Sequence, residues 1–386
     1  MDSRRESNLV LNSMSNLTVT PAPVELQAAR NPFLVKTYHG EHAKKHDFIE
    51  ETTGHLSLNP SSKPRVTITW QQKPHMLLAL LSKRPNDDVA TEAFQDACRT
   101  LWSHRVKILL DEQQVPLSDL PKPVEQTLVI RKPASEFQKL PVDFVIVFGG
   151  DGSLIRAARH FPNGCPPFLA FSLGSLGFLN PFRGDQVAET LTWLLQDRRE
   201  IPLRIHARIA VTVKRKGFPD QAFTALNEAV ISGAEVGALA KLQIFSTPDA
   251  TEEVTTFQGD GLILSTPTGS TAYSVSAGGS MVHPGVGAIL CTPICPFSLS
   301  FRPILLPDYA KLMVRVAPDA RSSARVSFDG VGHLPLAQGD QVIIEYSRHP
   351  MPSIVPDADV NWLNNLRTAL HWNTTQAQKP LTRVKA

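Results

Sequence analysis

Three short apolar runs punctuate the first half of the chain. Met76–Lys83 (MLLALLSK) stops at RPND, Val106–Glu112 (VKILLDE) follows, and Asp143–Phe148 (DFVIVF) is apolar at nearly every position. Each reads as a buried strand. Between the first two, Ala90, Phe94, Ala97 and Leu101 recur at helical spacing on one face, with Asn86 or Asp87 placed to cap that helix. PFLAFSLG adds another strand and GDQVAETLTWLLQ a helix. Continuous apolar strands alternating with helices predict a parallel sheet covered on both faces, so residues 65–205 read as an open α/β domain.

The pattern then changes. RIAVTVKR, TALNEAVIS, KLQIFST, EVTTFQG, DGLILST, KLMVRVAP, ARVSFDG and DQVIIEYS are short, β-rich and bounded by turns, with few helices between them. They predict an all-β second domain over residues 206–355. Residues 1–64, rich in Ser, Asn, Thr and Pro without a sustained period, read as a mobile tail. The closing segment, 356–386, carries Trp362, Leu366, Leu370 and Trp372 and is expected to dock back on the first domain.

Composition narrows the classes. The chain has 386 residues, enough for two domains with tails, and its 42% hydrophobic content supports real cores. A net charge of +3, with Lys and Arg scattered, does not mark a nucleic-acid partner. No stretch approaches the ~20 apolar residues of a membrane helix, so no membrane partner is expected. The start lacks the apolar core of a secretory signal. Asp2 and Glu6 weigh against a transit peptide despite Arg4 and Arg5, and the expected location is the cytoplasm. The four cysteines make no disulfide framework. Cys291 and Cys295 (CTPIC) have no nearby His pair to complete a zinc site, and the cysteines read as small buried hydrophobes in a reducing compartment.

Candidate chemistry begins where the Asp143–Phe148 run breaks. Gly149, Gly150 and Gly152 fall at the carboxyl end of that strand, where ligands of open parallel sheets bind. Glycine lets a ligand approach bare backbone, and the helix starting at SLIRAARHF offers free N–H groups to a phosphate. Asp151 would repel a phosphate. It has a purpose there if it holds a metal that the phosphate shares, or accepts a proton from an attacking hydroxyl; a plain turn or capping role is the alternative. There is no Walker-type loop, no dinucleotide fingerprint after the first strand and no protein-kinase motif set. A second cluster, Gln258–Pro284, packs glycines and hydroxyls behind a strand, and its TPTGSTAY offers donors beside the Tyr273 ring. Such a surface suits a nucleoside with its phosphates; a Gly/Ser-rich β-turn is the plainer reading.

The pieces GGDGS, LGSLGFLNPF, LNEAVI, QGDGLILSTPTGSTAYSVSAGG, TPICPFSLSFRPILLP, VSFDG and LHWN occur in one order between Trp70 and Asn373. On them the chain resembles the NAD kinases, closer to the eukaryotic branch. The Gly-Gly-Asp-Gly turn alone is shared with diacylglycerol and sphingosine kinases and phosphofructokinases, so a lipid kinase is the alternative. The Gln258–Pro284 block is absent from the lipid kinases, and the chain shows neither a greasy pocket nor a membrane-facing surface. The resemblance implies a Rossmann-like N-terminal domain and a C-terminal β-sandwich. It implies transfer of the γ-phosphoryl of ATP to the 2′-hydroxyl of the adenosine ribose of NAD(H), with Mg²⁺ or another divalent cation. It also implies a homo-oligomer, dimer or tetramer, with shared active sites.

By position, Asp151 is implied as general base, with metal positioning a second role. Gly149, Gly150 and Gly152 would admit the ATP phosphates, and Ser153 stands where the family usually has Thr, keeping the hydroxyl. Asn227 and Glu228 would hold ribose hydroxyls. Thr268, Thr271, Ala272, Tyr273 and Ser276 would line the adenine and pyrophosphate, and Phe178 would contact the adenine side. Asp260 would reach the nicotinamide ribose of NAD bound mainly by another subunit. No metal-ligand set is implied beyond Asp151. The family often shows Arg-x-Arg where the β domain begins; here Arg204 is followed by His206, with Arg208 further on. If that second arginine contacts a phosphate, donor affinity here differs. His283 is read as structural.

Overall fold

The computed structural model describes residues 33–38, 65–70, 73–125, 128–174, 177–196, 199–235, 237–246, 249, 251–356 and 362–373. The first domain is built on a ten-stranded sheet. Its parallel half runs in the order Phe168–Ser172, Phe144–Phe148, Leu78–Lys83, Lys107–Asp111, Val129–Lys132, with the short strand Phe182–Arg183 paired beside Phe168–Ser172. The expected two-faced burial is present. Leu78, Leu80, Leu109, Val145, Val147, Phe168 and Ala170 share one apolar cluster with Leu154, Ala157 and Ala158 of helix Asp151–Ala158. Their neighbours Ala79, Leu81, Ile108, Leu110, Phe144, Ile146, Phe148, Leu169 and Phe171 pack on the other face, against helices Asp88–Ser103 and Val187–Leu194. Asp87 is the cap of the first of these, accepting a hydrogen bond from the Ala90 amide at 2.9 Å.

The sheet continues past Phe168–Ser172 through Met351–Ile354, Ile201–His206, Arg65–Trp70 and Phe33–Tyr38. Two of these differ from the sequence reading. Phe33–Tyr38 falls in the stretch read as a mobile tail, yet it forms an antiparallel edge strand from Phe33↔Trp70 to Tyr38↔Arg65; residues 1–32 and 39–64 lie outside the described residues. Met351–Ile354, counted with the second domain, returns to the first sheet and pairs antiparallel with Leu203–His206. Four residues are too few to carry a periodic signal, so its sheet is decided only by tertiary pairing.

The second domain is a sandwich of two six-stranded antiparallel sheets. One runs Gln221–Ala225, Ile209–Lys214, Gln341–Tyr346, Leu312–Val316, Ala240–Phe245, Glu253–Gly259; the other Ile304–Pro307, Ala288–Ile294, Gly261–Ser265, Glu228–Gly233, Ala324–Phe328, Val331–Leu336. Alternate residues such as Ile209, Val211, Val213, Leu262, Leu264, Val342 and Ile344 meet in a shared core, as facing sheets require. The run TALNEAVIS is two strands, one in each sheet. Leu226 and Asn227 form the corner where the chain changes sheet. The C-terminal helix Trp362–Ala369 docks, but its ring contact is with the second domain: Trp362 stands edge-on to His283 at 5.3 Å. Among the described residues no helix is long and apolar enough to cross a membrane.

Candidate active site

Leu78–Lys83 is where the connectivity of the parallel sheet reverses. The chain first moves outward to Lys107–Asp111 and Val129–Lys132, then crosses to Phe144–Phe148 on the other side. A crevice opens beyond the carboxyl ends at such a point. The Gly-Gly-Asp-Gly turn sits there, and the Arg84 amide donates to the Phe148 carbonyl at 2.9 Å. Gly149 has φ +153°, and a Cβ on it would run into Ser153 Oγ, which is tucked beneath the turn. Arg84 Nη2 lies 3.4 Å from where a Gly150 Cβ would be, so a guanidinium covers the turn. Gly150 caps the helix without a side-chain bond; the Ser153 amide donates to the Gly150 carbonyl at 2.9 Å, and the Asp151 and Gly152 amides ahead of it are the ones suited to an anion.

Asp151 is clasped by the LGFLN loop. Its Oδ2 accepts from the Phe178 amide at 3.0 Å, and its Oδ1 accepts from the Leu179 amide at 3.1 Å and Asn180 Nδ2 at 2.8 Å. Gly177 permits the approach, since a Cβ there would strike the carboxylate. Burial pushes the carboxyl above its ordinary range, and the Leu179 and Phe178 amides pull partly back. A carboxylate has about four acceptor positions. Two donors occupy Oδ1 and one occupies Oδ2, so Oδ2 retains room for a substrate proton.

The sandwich contributes the corner. Asp329, with φ +48°, turns its carboxylate onto three successive amides: Leu226 N to Oδ2 at 2.9 Å, and Asn227 N and Glu228 N to Oδ1 at 2.7 and 3.1 Å. From the other side the Thr266 amide donates to the Asn227 carbonyl at 2.8 Å, and Thr266 Oγ1 donates to the Leu226 carbonyl at 2.6 Å. The Asn227 backbone is thus pinned while its side chain is only half-buried. Glu228 is 6% exposed. Burial first, and the charge of Asp329 second, push its carboxyl up to about 7 against the Tyr273 amide that bonds it. Glu228 Oε2 is buried with no hydrogen-bond partner among the described residues.

The turn of the second cluster lies against this corner. Thr268 is buried and its Oγ1 is 3.1 Å from His206 Nδ1, so the histidine at the usual arginine position braces the turn. Thr271 Oγ1 donates to the Thr268 carbonyl at 3.3 Å, Ala272 is half-buried, and Tyr273 and Ser276 are exposed. The half-buried Phe178 lies in the loop that clasps Asp151. Arg204 pairs across the first sheet with Ser353. Arg208 is fully buried, and it donates to the carbonyls of His349, Phe161 and Pro162 at 2.5, 2.8 and 3.3 Å; it is a staple between domains. Leu226 shares the apolar cluster of Leu154, Ala157 and Ala158, and Arg159 Nη2 donates to the Asp329 carbonyl at 2.5 Å, so the corner rests on the helix behind Asp151.

Asp260 is not brought to this corner. It precedes strand Gly261–Ser265, whose far end leads into Thr266, roughly 20 Å away at ~3.3 Å per residue. Its carboxylate lies beside the thiol of Cys295, which it raises above the ordinary range. Cys295 is exposed, with φ +43°, contrary to the expectation of four buried cysteines; Cys98, Cys165 and Cys291 are buried. Among the described residues no group of three or more His, Cys, Asp or Glu side chains is placed to hold a metal. A cavity of about 360 Å³ opens at the amino end of Leu78–Lys83, lined by Trp70, Lys73, His75, His104 and Arg105, away from the turn.

Arg84, Asn180, Thr266 and Asp329 escape the sequence reading as site residues. Arg84 follows the first parallel strand directly, a position that its sheet location could have flagged.

The model of the ATP-NAD kinase N-terminal domain matches residues 79–199, and that of the ATP-NAD kinase C-terminal domain matches residues 226–355. The chain is 36% identical over 338 residues to NAD kinase 2, chloroplastic, of Arabidopsis thaliana, covering 86% of this chain and 34% of that protein. It is 35% identical over 346 residues to putative NAD kinase 3 of Oryza sativa subsp. japonica, covering 88% of this chain and 69% of that protein. The chain spans about a third of the length of the first of these relatives. The crystal structure of yeast NADH kinase complexed with NADH superposes with a TM-score of 0.72 at 26% identity, covering 84% of this chain and 97% of that one. An NAD kinase from Archaeoglobus fulgidus in complex with ATP shares the fold, with a TM-score of 0.57 at 21% identity over 76% of this chain and 99% of that one.

Proposed function

The chain belongs to the ATP-NAD kinase family, and from that premise we propose that it transfers the γ-phosphoryl of ATP to the 2′-hydroxyl of the adenosine ribose of NAD, giving NADP. The observation that carries this reading is Asp151, clasped at the switch point with one acceptor position left on Oδ2. The hydroxyl proton passes to Asp151 as the 2′-oxygen bonds the γ-phosphorus and the bond to the ADP oxygen breaks. A ribose hydroxyl is almost never ionised at neutral pH, and a positioned base contributes ~10²–10⁴-fold. Raised proton affinity from burial suits Asp151 to that task.

Donor and acceptor come from different domains. Arg84, the bare backbone of Gly149, Gly150 and Gly152 and the helix amides receive the ATP phosphates. Asn227 and Glu228 hold ribose hydroxyls, and one of these satisfies the orphaned Glu228 Oε2. Thr268, Thr271, Ala272, Tyr273 and Ser276 line the adenine and pyrophosphate, with Phe178 on the adenine side. With no cluster of three or more ligating side chains among the described residues, Mg²⁺ would be held mainly by the substrate phosphates, with Asp151 the carboxylate at the turn that could help position it, and would neutralise charge on the transferring group. NADH is a second acceptor, since the structural relative at 26% identity is an NADH kinase.

Asp260, at the opposite end of its strand, then serves NAD bound by a neighbouring subunit in a dimer or tetramer. The lipid-kinase alternative is set aside by the C-terminal match over residues 226–355, which includes the Thr268 block. The test is incubation with ATP, Mg²⁺ and NAD, coupled to an NADP-specific dehydrogenase. NADP is the expected product, and its absence across metals and pH overturns the reading.

A further inference from the structure

The acceptor pair does not hold its own shape. Asn227 and Glu228 sit where the chain leaves one sheet for the other, and a corner of this kind carries amides that no strand ladder satisfies. Three of them, on Leu226, Asn227 and Glu228, are taken by one carboxylate from about a hundred residues further along the chain. Asp329 meets them only by adopting φ +48°, and its own amide donates back to the Glu228 carbonyl at 2.9 Å. Its carbonyl accepts from Arg159, the residue that ends the helix begun by Asp151. A single residue therefore touches both the acceptor corner and the end of the helix that Asp151 begins.

We propose that Asp329 is the positioning residue of the acceptor site: its carboxylate fixes the backbone of Leu226–Glu228, and its bond with Arg159 registers that corner on the helix carrying Asp151. The proposal rests on the kinase reading for its ligand, but its geometry stands apart from it. Among the described residues, the charged groups that face Asp329 are Glu228, on the corner it cradles, Arg159, which caps the Asp151 helix, and Arg208, in the link between strands Ile201–His206 and Ile209–Lys214. Asp329 adds its negative charge beside Glu228 and so strengthens that residue's hold on its proton.

The test uses the full chain carrying Asp329→Asn, which keeps the volume and removes the charge. Three charge-assisted bonds are weakened at once, so the KM for NAD is expected to rise roughly tenfold or more. The KM for ATP stays within about twofold. The midpoint of NAD binding against pH moves downward, because Glu228 loses an adjacent negative charge; a role limited to stability would leave that midpoint in place. Amide hydrogen exchange at Leu226, Asn227 and Glu228 accelerates selectively. A folded variant with unchanged NAD KM, unchanged midpoint and unchanged exchange overturns the proposal. If Asp329→Asn does not fold, Arg159→Gln is the second probe, expected to raise the NAD KM severalfold and leave the ATP KM alone. No change in either constant overturns the registering role. Should the wild-type protein make no NADP, the kinase reading falls, while the exchange measurement still decides the cradle.

Discussion

The two carboxylates of the site are both withdrawn from water, Glu228 fully and Asp151 in part, and they are supported differently. Asp151 receives three donors from one loop, and Glu228 receives one amide, with Oε2 left alone. Burial raises the proton affinity of both. At Asp151 the fold supplies most of the compensation, so the group is held in one pose with a defined lone pair outward. At Glu228 the compensation is left to something that arrives, and Asp329 makes the charge costlier still. A base must be fixed before its substrate comes; a binding carboxylate gains specificity when its missing partner is the ligand's own hydroxyl. On the proposed reading, the α/β domain is prepared for chemistry and the sandwich for recognition.

The largest break in that comparison is Asp151→Asn. It is expected to lower kcat by ~10²-fold or more with the NAD KM little changed, since a proton acceptor is removed and no ribose contact is. A steady-state assay across pH decides it, and near-normal kcat refutes Asp151 as the base. Glu228→Gln is expected to behave oppositely, raising the NAD KM more than it lowers kcat.

Glu228→Gln also exposes the latent cost in the unliganded protein. Below pH 4.5 the ordinary glutamate is protonated in both folded and unfolded chains, and the side chain adds no pH dependence. Between 4.5 and about 7 the unfolded chain releases the proton while the folded chain keeps it, so wild-type stability falls as pH rises through that window. A shift from 4.5 to about 7 corresponds to at most about 3 kcal/mol. The Gln variant lacks this loss. Its thermal midpoint relative to wild type therefore climbs from pH 4.5 to 7 and levels above. Saturating NAD, by supplying the missing bond, narrows the gap. Parallel midpoints for the two proteins across that range would show that the orphaned oxygen is solvated.

What the residue order made legible follows from the physics of each element. The parallel strands were readable because both their faces are buried, so every position is apolar, as in Phe144–Phe148. The strands Phe33–Tyr38 and Met351–Ile354 were not, because no helix period separates them from their partners and their place depends on distant pairing. TALNEAVIS reads as one strand because a sheet change leaves no gap in β-rich composition. The chemistry proposed for Asp151 takes its signal from the neighbouring glycines, but two of the three donors that clasp it are backbone amides, which no residue identity announces. Asp329 is invisible for the same reason, as its partners are three amides. Cys295, the first residue past strand Ala288–Ile294, reads like its buried sibling Cys291, but a positive φ puts it outside.

The smallest expected effect sharpens the donor side. Arg84 pairs with Asp87 at 3.4 Å, and its side chain is 52% exposed, so it contributes little to stability as an ion pair. Its position over Gly150 gives it another purpose, because a guanidinium beside backbone amides suits phosphate oxygens. Arg84→Met removes that charge and keeps the apolar stem. The KM for ATP is expected to rise roughly tenfold, the equivalent of ~1.4 kcal/mol, with the NAD KM and thermal midpoint nearly unmoved. Arg84→Lys restores part of the loss, since a point charge replaces some of what a planar fork supplies. Product formation measured against each substrate separately checks this. If the NAD constant moved with the ATP constant, the division of donor and acceptor between the two domains would be wrong, because Arg84 stands at the switch point of the first sheet and the acceptor corner belongs to the sandwich.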